Sequence, residues 1–218
     1  MSRVAIIGGH GKVALQLAKD LAANGHQVSS LFRNPDHVSE VAATGAEPVV
    51  ADVEKLDTPQ LAELLSGHDA VVWSAGAGGG SAERTYSVDR DAAIRSMEAA
   101  EQAGVRRYVM VSYMGAGKDH GVDPDNSFYA YAEAKAAADE HLRRSGLDWT
   151  ILGPSALTDD PGTGRISTGP DQEGSVSRSD VAAVAAEVLE QPGTVGHFIE
   201  FINGQTPIRE AVASQVSA

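Results

Sequence analysis

The stretch VAIIGGHGKVALQLAKDL, residues 4–21, constrains the fold of this chain more than any other segment. A short apolar run ends at Gly8 in a cluster of glycines, and a helical pattern starts at once with Val13, Leu17 and Leu21 on one face. An apolar run of this length indicates a buried strand, and the later spacing indicates an amphipathic helix. The stretch therefore predicts a β-strand that turns through glycines directly into a helix.

The same alternation of short apolar runs and helical patterns continues along the chain. It predicts strands at residues 3–8, 26–33, 46–52, 68–76, 105–112 and 147–154. Strands that alternate with helices form parallel sheets covered on both faces. The predicted fold is therefore α/β, with a doubly wound parallel sheet (a Rossmann fold).

The pattern weakens after about residue 155, where we expect a short strand near residues 164–168, a helix over 179–191, a strand over 196–202 and a last helix. We interpret this part as a small C-terminal extension on the substrate side. No repeat or linker interrupts the sequence, which predicts a single domain over residues 1–218.

Composition narrows the classes of function. The 218 residues carry a net charge of -13, which argues against a nucleic-acid partner, and no cysteine, which excludes thiolate chemistry. The histidines show no metal-ligand spacing, so we expect no metal. No apolar run is long enough to cross a membrane, and the glycine-rich start does not resemble a signal peptide. We expect a soluble cytoplasmic monomer or homodimer that binds a small-molecule substrate.

The glycine turn predicts a phosphate site. Gly8, Gly11 and Ala14 fit the pattern G-x-x-G-x-x-[GA], in which the first glycine makes the turn and the second lets a pyrophosphate approach the backbone. The last position needs only a small residue for packing. The helix start at Val13 offers free N–H groups to phosphates. His10 lies in the loop, where it either contacts phosphate or is an ordinary loop residue.

The end of the second strand bears on which dinucleotide binds. An acidic residue there would select the ribose 2′-hydroxyl of NAD, but this chain has Arg33. A guanidinium favours the 2′-phosphate of NADP, and Lys12 adds charge from the glycine loop. NAD remains possible, because Arg33 can also be a solvated strand-end residue. The predicted cofactor is NADP, with NAD as the alternative.

Two further strand ends predict cofactor contacts. Asp52 and Val53 follow the third strand, where the carboxylate either binds the adenine amino group or caps the next helix. Ala75, Gly76 and Ala77 follow the fourth strand, and their small side chains let a ribose approach.

Candidate catalytic residues lie further along the chain. Tyr131 and Lys135 are four residues apart on one helix face, and Ser112 ends the fifth strand at the same sheet edge. A charge about 4 Å away is worth about 4 kcal/mol at an effective dielectric constant of about 20. One lysine is therefore enough to bring the pKa of a tyrosine toward neutrality, and we expect Tyr131 to act as acid and base.

The order of these motifs resembles the atypical short-chain dehydrogenases/reductases, the compact NAD(P)H-binding group that includes NmrA-like proteins, biliverdin-reductase-B-like flavin reductases and epimerase/dehydratases. The resemblance rests on GGHGKVA, FRN, ADV, SAGAG, VRRYVMVS, YAEAK, LDWTILGPSALTDDPGTGRI and SRSDVA. It implies that Lys135 binds the nicotinamide ribose and that Pro154 and Ser155 lie near the nicotinamide. Many relatives have Arg-Pro where this chain has Gly153-Pro154, and Tyr113 replaces a small residue.

The leading hypothesis is an NADP(H)-dependent oxidoreductase that transfers hydride to or from a small carbonyl, quinone or flavin-like substrate. One alternative is a non-catalytic NAD(P)H-binding redox sensor, and another is an epimerase or dehydratase. The loops at residues 76–84, 113–127 and 155–176 would determine the substrate.

Overall fold

The order of strands in the central sheet reverses beside the first strand. A computed structural model describes residues 1–78, 81–170 and 172–216. The strands of the sheet are β1 (Arg3–Ile7), β2 (Gln27–Phe32), β3 (Glu47–Val50), β4 (Ala70–Trp73), β5 (Arg107–Val111), β6 (Asp148–Pro154), β8 (Arg165–Thr168), β10 (His197–Asn203) and β11 (Thr206–Pro207). They lie side by side in the order β11-β8-β10-β6-β5-β4-β1-β2-β3.

Pairing is parallel from β3 across to β10 and antiparallel where β8 joins β10 and β11. This nine-stranded, mostly parallel sheet confirms the predicted doubly wound α/β class. A separate pair, β7 (Ala156–Thr158) with β9 (Ser175–Ser177), lies outside the main sheet.

Helices cover both faces of the sheet. They are α1 (Lys12–Ala23), α2 (Val38–Ala42), α3 (Thr58–Leu65), α4 (Ala82–Thr85), α5 (Ala93–Ala103), α6 (Tyr129–Arg144), α7 (Arg178–Glu190) and α8 (Ile208–Gln215). A π-helical segment, Tyr86–Ala92, joins α4 to α5, and single 3-10 turns lie at Pro35–His37 and Pro192–Thr194.

Alternate residues of each strand face opposite cores. Val4 and Ile6 of β1 pack in a cluster with α1 and α7, whereas Ala5 and Ile7 pack in a second cluster with α3, α5 and α6. Burial on both faces explains why these strands read as continuous apolar runs.

The elements after residue 155 divide between the central sheet and a separate strand pair. β8, β10 and β11 extend the central sheet, and α7 packs against α1, so much of the extension belongs to the scaffold. The pair β7 and β9 follows β6 at the carboxyl edge of the sheet, where the predicted extension was expected. Residues 79, 80 and 171 of the predicted substrate loops lie outside the described residues.

Ala14, on α1, is fully buried in the core cluster that also contains Val4 and Ile6 of β1, which agrees with its predicted packing role. We expect Ala14→Leu to lower the free energy of unfolding by about 1–3 kcal/mol, because the larger side chain overfills a close-packed site. The same change at exposed Ala23, at the end of the same helix, should alter it by no more than about 0.5 kcal/mol. Urea unfolding measures both, and equal midpoints for the two variants would contradict the packing role.

Candidate active site

The glycine loop is pressed against two strands, and this position requires glycine. Gly8 has φ +87°, and a Cβ there would lie 2.5 Å from the Cα of Ala75 at the end of β4. A Cβ on Gly9 would lie 2.6 Å from that of Ser30 in β2. The amides of both glycines donate to the carbonyl of Leu31, at 3.0 and 2.8 Å. Gly9, which the sequence pattern did not single out, is therefore as necessary as Gly8.

The start of α1 is open for an anion. Gly11 is its N-cap residue and provides no side-chain acceptor for the first turn. The unpaired N–H groups of a first turn carry a partial positive charge of about half a unit. Gly11, Lys12 and Val13 line a cavity of about 820 Å³ at this helix end.

A second cavity of about 510 Å³ lies on the other side of the glycine loop, at the ends of β1 to β4. It collects most of the predicted cofactor residues: Gly8, His10, Gly11, Arg33, Asp52, Val53, Ala75, Gly76 and Ala77. Both cavities share Gly11 and the segment that follows β4, residues 74–78. Two cavities joined at a helix N-terminus match two nucleosides joined by a pyrophosphate, so the residues present fit a dinucleotide.

Arg33 lines the second cavity but is already paired. Its Nη1 lies 3.2 Å from Oε1 of Glu54, and Nη2 of Arg84 lies 3.1 Å from the same oxygen. Arg84 also donates to the carbonyl of Ala77. Two guanidinium groups thus surround one carboxylate. Arg84 comes from α4, far from Arg33 in the sequence, and no local motif indicates it.

Asp52 does not cap the next helix. Asp57 caps α3 in a capping box with Gln60, so that alternative for Asp52 is wrong. The carboxylate of Asp52 instead accepts from Lys55, which lies 2.9 Å away and lowers the pKa of Asp52. It remains an ionised acceptor at the cavity wall.

His10 belongs to a cluster at the rim of the same cavity. Its ring stacks on that of His37 at 3.5 Å, and its Nε2 lies 2.7 Å from Oε2 of Glu40. One ligand atom from each of the three side chains lies within 4.8 Å of the others. The group has the chemistry to hold a cation. His10 lies about thirty positions before His37 and Glu40, which is why spacing did not reveal the group, and the prediction of no metal stays untested.

Lys12 and Arg178 share a carboxylate above the first cavity. Lys12 Nζ lies 2.6 Å from one oxygen of Asp159, and Arg178 Nη1 lies 2.7 Å from the other. Two cations against one anion leave a net positive charge beside the helix start. Arg178, at the start of α7, is a further residue that sequence reasoning missed.

The predicted catalytic residues divide into two groups. Ser112 and Tyr131 line the 820 Å³ cavity. Lys135 does not line it; its side chain is fully buried, with Nζ donating to the carbonyl of Val111 at 2.8 Å. Lys135 therefore lies behind the cavity wall rather than in it.

Two buried carboxylates accompany Lys135. Asp139 Oδ2 shares a hydrogen bond of 2.6 Å with Ser112 Oγ, and Asp89 accepts from the backbone N–H of Ala77 at 2.9 Å. Burial raises the pKa of each carboxyl and lowers that of Lys135, whereas the attraction between the lysine and the acids opposes both shifts. Sequence reasoning missed both acids, although Asp139 continues the four-residue spacing from Lys135 along one helix face.

The expected lowering of the pKa of Tyr131 is wrong. Burial raises this pKa, and the charges of Asp89 and Asp139 raise it further. The two acids were absent from the sequence argument, which considered one lysine alone. Tyr131 in this structure is a neutral phenol that can donate a hydrogen bond.

A third cavity, of about 470 Å³, opens beside Ser112 and Tyr131. The rings of Tyr113, Phe128 and Tyr131 meet in its wall with centroids 5.1 to 5.5 Å apart. Its other lining residues are Met114, Pro154, Ser155, Ala156 and Leu157, so no charged side chain of the described residues lines it. The hydroxyl oxygens of Tyr113 and Ser155 are buried there without a hydrogen-bond partner in the described part of the chain.

The sheet, the glycine loop and the paired cavities define a dinucleotide-binding protein of the Rossmann type. Residues 8–192 match the model of a family described as NAD(P)H-binding, and the chain belongs to that family. No helix formed by the described residues combines the length and apolar character needed to span a bilayer.

Relatives support this assignment. The "uncharacterized sugar epimerase YhfK" of Bacillus subtilis is 35% identical, covering 96% of this chain and 98% of its own. A solved structure from Bacillus halodurans, named as a candidate NAD-dependent epimerase/dehydratase, superposes with a TM-score of 0.91 at 34% identity over 98% of this chain and 100% of its own. The oxidoreductase ylbE of Lactococcus lactis gives 0.89 at 30% identity over 99% and 97%.

The buried charges predict how Lys135→Met should behave. Removing the cation leaves Asp89 and Asp139 buried without it, so we expect the free energy of unfolding to fall by about 3–5 kcal/mol. The pKa of each acid then rises further in the folded state, which binds more protons than the unfolded chain. Stability should therefore fall as pH rises above about 4 through the raised pKa values.

Denaturant unfolding across a pH series measures this, with Lys19→Met, on the exposed side of α1, as the control. A loss that is equal at every pH would contradict the charge balance between Lys135 and the two acids.

Proposed function

We propose that this protein is an NADP(H)-dependent oxidoreductase that reduces a small, uncharged, planar substrate. One observation carries the proposal: Ser112 and Tyr131 line both the cavity at the helix start and the aromatic cavity. A cofactor in the 820 Å³ cavity at the helix start and a substrate in the 470 Å³ aromatic cavity would meet at these two hydroxyl groups. When bound, the nicotinamide supplies the hydride.

The chain's own residues supply orientation and polarisation. Ser112 and the neutral Tyr131 would donate hydrogen bonds to the substrate atom that gains negative charge. Donors held in place before the reaction are among the largest contributions to catalysis, because they need no reorganisation. The buried positive charge of Lys135 attracts Asp89 and Asp139 and so offsets part of the cost of burying them.

The aromatic cavity supports a substrate class. The three rings that meet in its wall favour a flat apolar molecule, since aromatic pairs contribute about 0.5–1.5 kcal/mol beyond their buried area. No charged side chain of the described residues lines this cavity, which disfavours an anionic substrate because a buried charge needs a partner. The unpartnered hydroxyls of Tyr113 and Ser155 are suited to substrate oxygens. A quinone, a flavin ring or an aromatic carbonyl fits this description.

The preference for NADP is supported by charge at the second cavity. Arg33 and Arg84 share only Glu54, which leaves a net positive charge near the end of β2. A 2′-phosphate would replace Glu54 as the partner of Arg33. That exchange costs little, since exposed ion pairs are worth about 0–1 kcal/mol.

We expect Arg33→Ala to weaken NADPH binding about 10- to 100-fold, the equivalent of a charge-assisted hydrogen bond of about 1.5–3 kcal/mol, and to leave NADH binding unchanged. Fluorescence titration with both cofactors measures this. Arg106→Ala, at the opposite end of the sheet and paired with Asp148, is the control. The preference is wrong if the unmodified protein binds NADH as tightly as NADPH.

We expect Tyr131→Phe to lower kcat for reduction of a neutral quinone by NADPH about 100-fold, because one oxyanion donor is lost. Binding of NADPH should not change. Tyr129→Phe, on the same helix but against His120, should retain full activity. Turnover by Tyr131→Phe at the original rate would remove Tyr131 from the mechanism, and cofactor binding without turnover of any acceptor would favour a sensor.

An epimerase or dehydratase remains the second candidate, favoured by the names of the relatives from Bacillus subtilis and Bacillus halodurans. In such an enzyme the hydride returns to the substrate within one turnover. Cofactor that copurifies tightly and in oxidised form would support this candidate over the reductase.

A further inference from the structure

We propose that Asp139, acting through Ser112, holds the proton that the site delivers to its substrate. This inference rests on the proposed reductase function, and it assigns the proton to a residue behind the cavity wall. Asp139 would be a positioning residue, because it reaches the substrate only through the serine hydroxyl.

Geometry places the two groups in series. Ser112 Oγ and Asp139 Oδ2 are 2.6 Å apart, with Ser112 4% exposed and Asp139 fully buried. Ser112 lines both cavities at the point where they meet. The other oxygen of Asp139, Oδ1, is buried with no hydrogen-bond partner among the described residues. An ionised carboxylate is costly in that position, whereas a carboxylic acid is not.

The count of buried charges also favours one protonated acid. Lys135 is a single cation beside Asp89 and Asp139, and all three are buried. Asp89 accepts from a backbone N–H, which can only donate and therefore favours the ionised form of Asp89. Among the described residues Asp139 is hydrogen-bonded only to the Ser112 hydroxyl, which can donate to a carboxylate or accept from a carboxylic acid. The proton therefore belongs on Asp139.

The other titratable groups around Asp139 do not alter this assignment. Arg143, on the same helix, lowers the pKa of Asp139 less than burial raises it. Tyr113 and Tyr131 face the acid from the cavity side, and burial raises the pKa of both phenols, so they remain neutral.

Protonation of Asp139 determines which way the serine hydroxyl points. When Asp139 is a carboxylic acid, its O–H can donate to Ser112 Oγ, and the serine hydrogen is free to point into the cavity. When Asp139 is ionised, Ser112 must donate to it instead, and no serine hydrogen remains for a substrate.

The proton transfer balances in two linked bonds. As the substrate oxygen gains negative charge from hydride transfer, the Ser112 O–H bond breaks and an O–H bond forms on the substrate. The Asp139 O–H bond breaks as the Ser112 O–H bond reforms. Asp139 is left as a carboxylate, and a proton from solvent restores it before the next turnover.

The test compares D139N with the unmodified protein across pH. In D139N the amide retains the size and a donor for Ser112 but no transferable proton. We expect kcat/KM of the unmodified protein to fall as pH rises through the pKa of Asp139. In D139N it should be about 100-fold lower and independent of that ionisation, within the range seen for general acids.

Acting through Ser112 makes a further demand. D139N should cost little more in an S112A background, because the path to the substrate is already lost. If D139N lowers kcat/KM by the same factor in the S112A background as in the unmodified protein, the serial arrangement is overturned. An unchanged pH profile in D139N would overturn the role of Asp139.

A readout that needs no turnover separates this inference from the proposed function. The infrared C=O stretch of a buried carboxylic acid should be present in the unmodified protein, disappear at high pH and be missing in D139N. Asp20→Asn, on α1, should retain it. If the stretch survives in D139N, the proton lies elsewhere and the inference fails, whether or not the protein reduces quinones. If it is lost but no acceptor is reduced, the reductase proposal fails alone.

Discussion

The close approach of Gly8 and Gly9 to the neighbouring strands is the contact on which the site depends. A Cβ at these positions would lie 2.5 Å from the Cα of Ala75, which follows β4, or 2.6 Å from the Cβ of Ser30 in β2, nearer than atoms pack. Because these residues are glycines, the loop packs closely against the sheet beside β1, where the strand order reverses. Helix α1 begins at the same place. The two cavities and the open start of α1 all adjoin the loop in that position.

A second constraint comes from the charge buried under α6. Lys135 and its two acids are shielded from water, so each changes the protonation of its neighbours more than an exposed group would. Burial raises the pKa of Tyr131, and the negative charge of Asp89 raises it further by opposing a phenolate. A site of this kind polarises a substrate with neutral donors. Tyr131 and Lys135 alone suggest a tyrosine whose pKa is lowered by a lysine. With the two buried acids included, the same spacing gives a neutral phenol that donates a hydrogen bond.

Sequence predicted what local pattern determines. The strands, the glycine turn and the packing of Ala14 follow from periodicity and steric rules, which operate over a few residues. The partners of the cofactor residues did not follow, since Arg84 with Glu54 and Arg178 with Asp159 are brought together only by the folded chain. Asp139 lies four residues after Lys135 on the same helix, so the spacing could have indicated it, but only its burial in the structure distinguishes it from a solvated acid.

The polar contacts on the two sides of the candidate site differ in how much free energy it costs to break them. On the cofactor side, Lys12 and Arg33 form exposed ion pairs, which an incoming phosphate can replace at small cost. On the substrate side the hydrogen bond between Ser112 and Asp139 is buried, and breaking it leaves an unsatisfied group that costs about 1–3 kcal/mol. Phe128 and Leu157, both exposed, line the two cavities that Ser112 also lines. The shape of the substrate pocket can therefore change at these two apolar residues without disturbing the group that holds the proton.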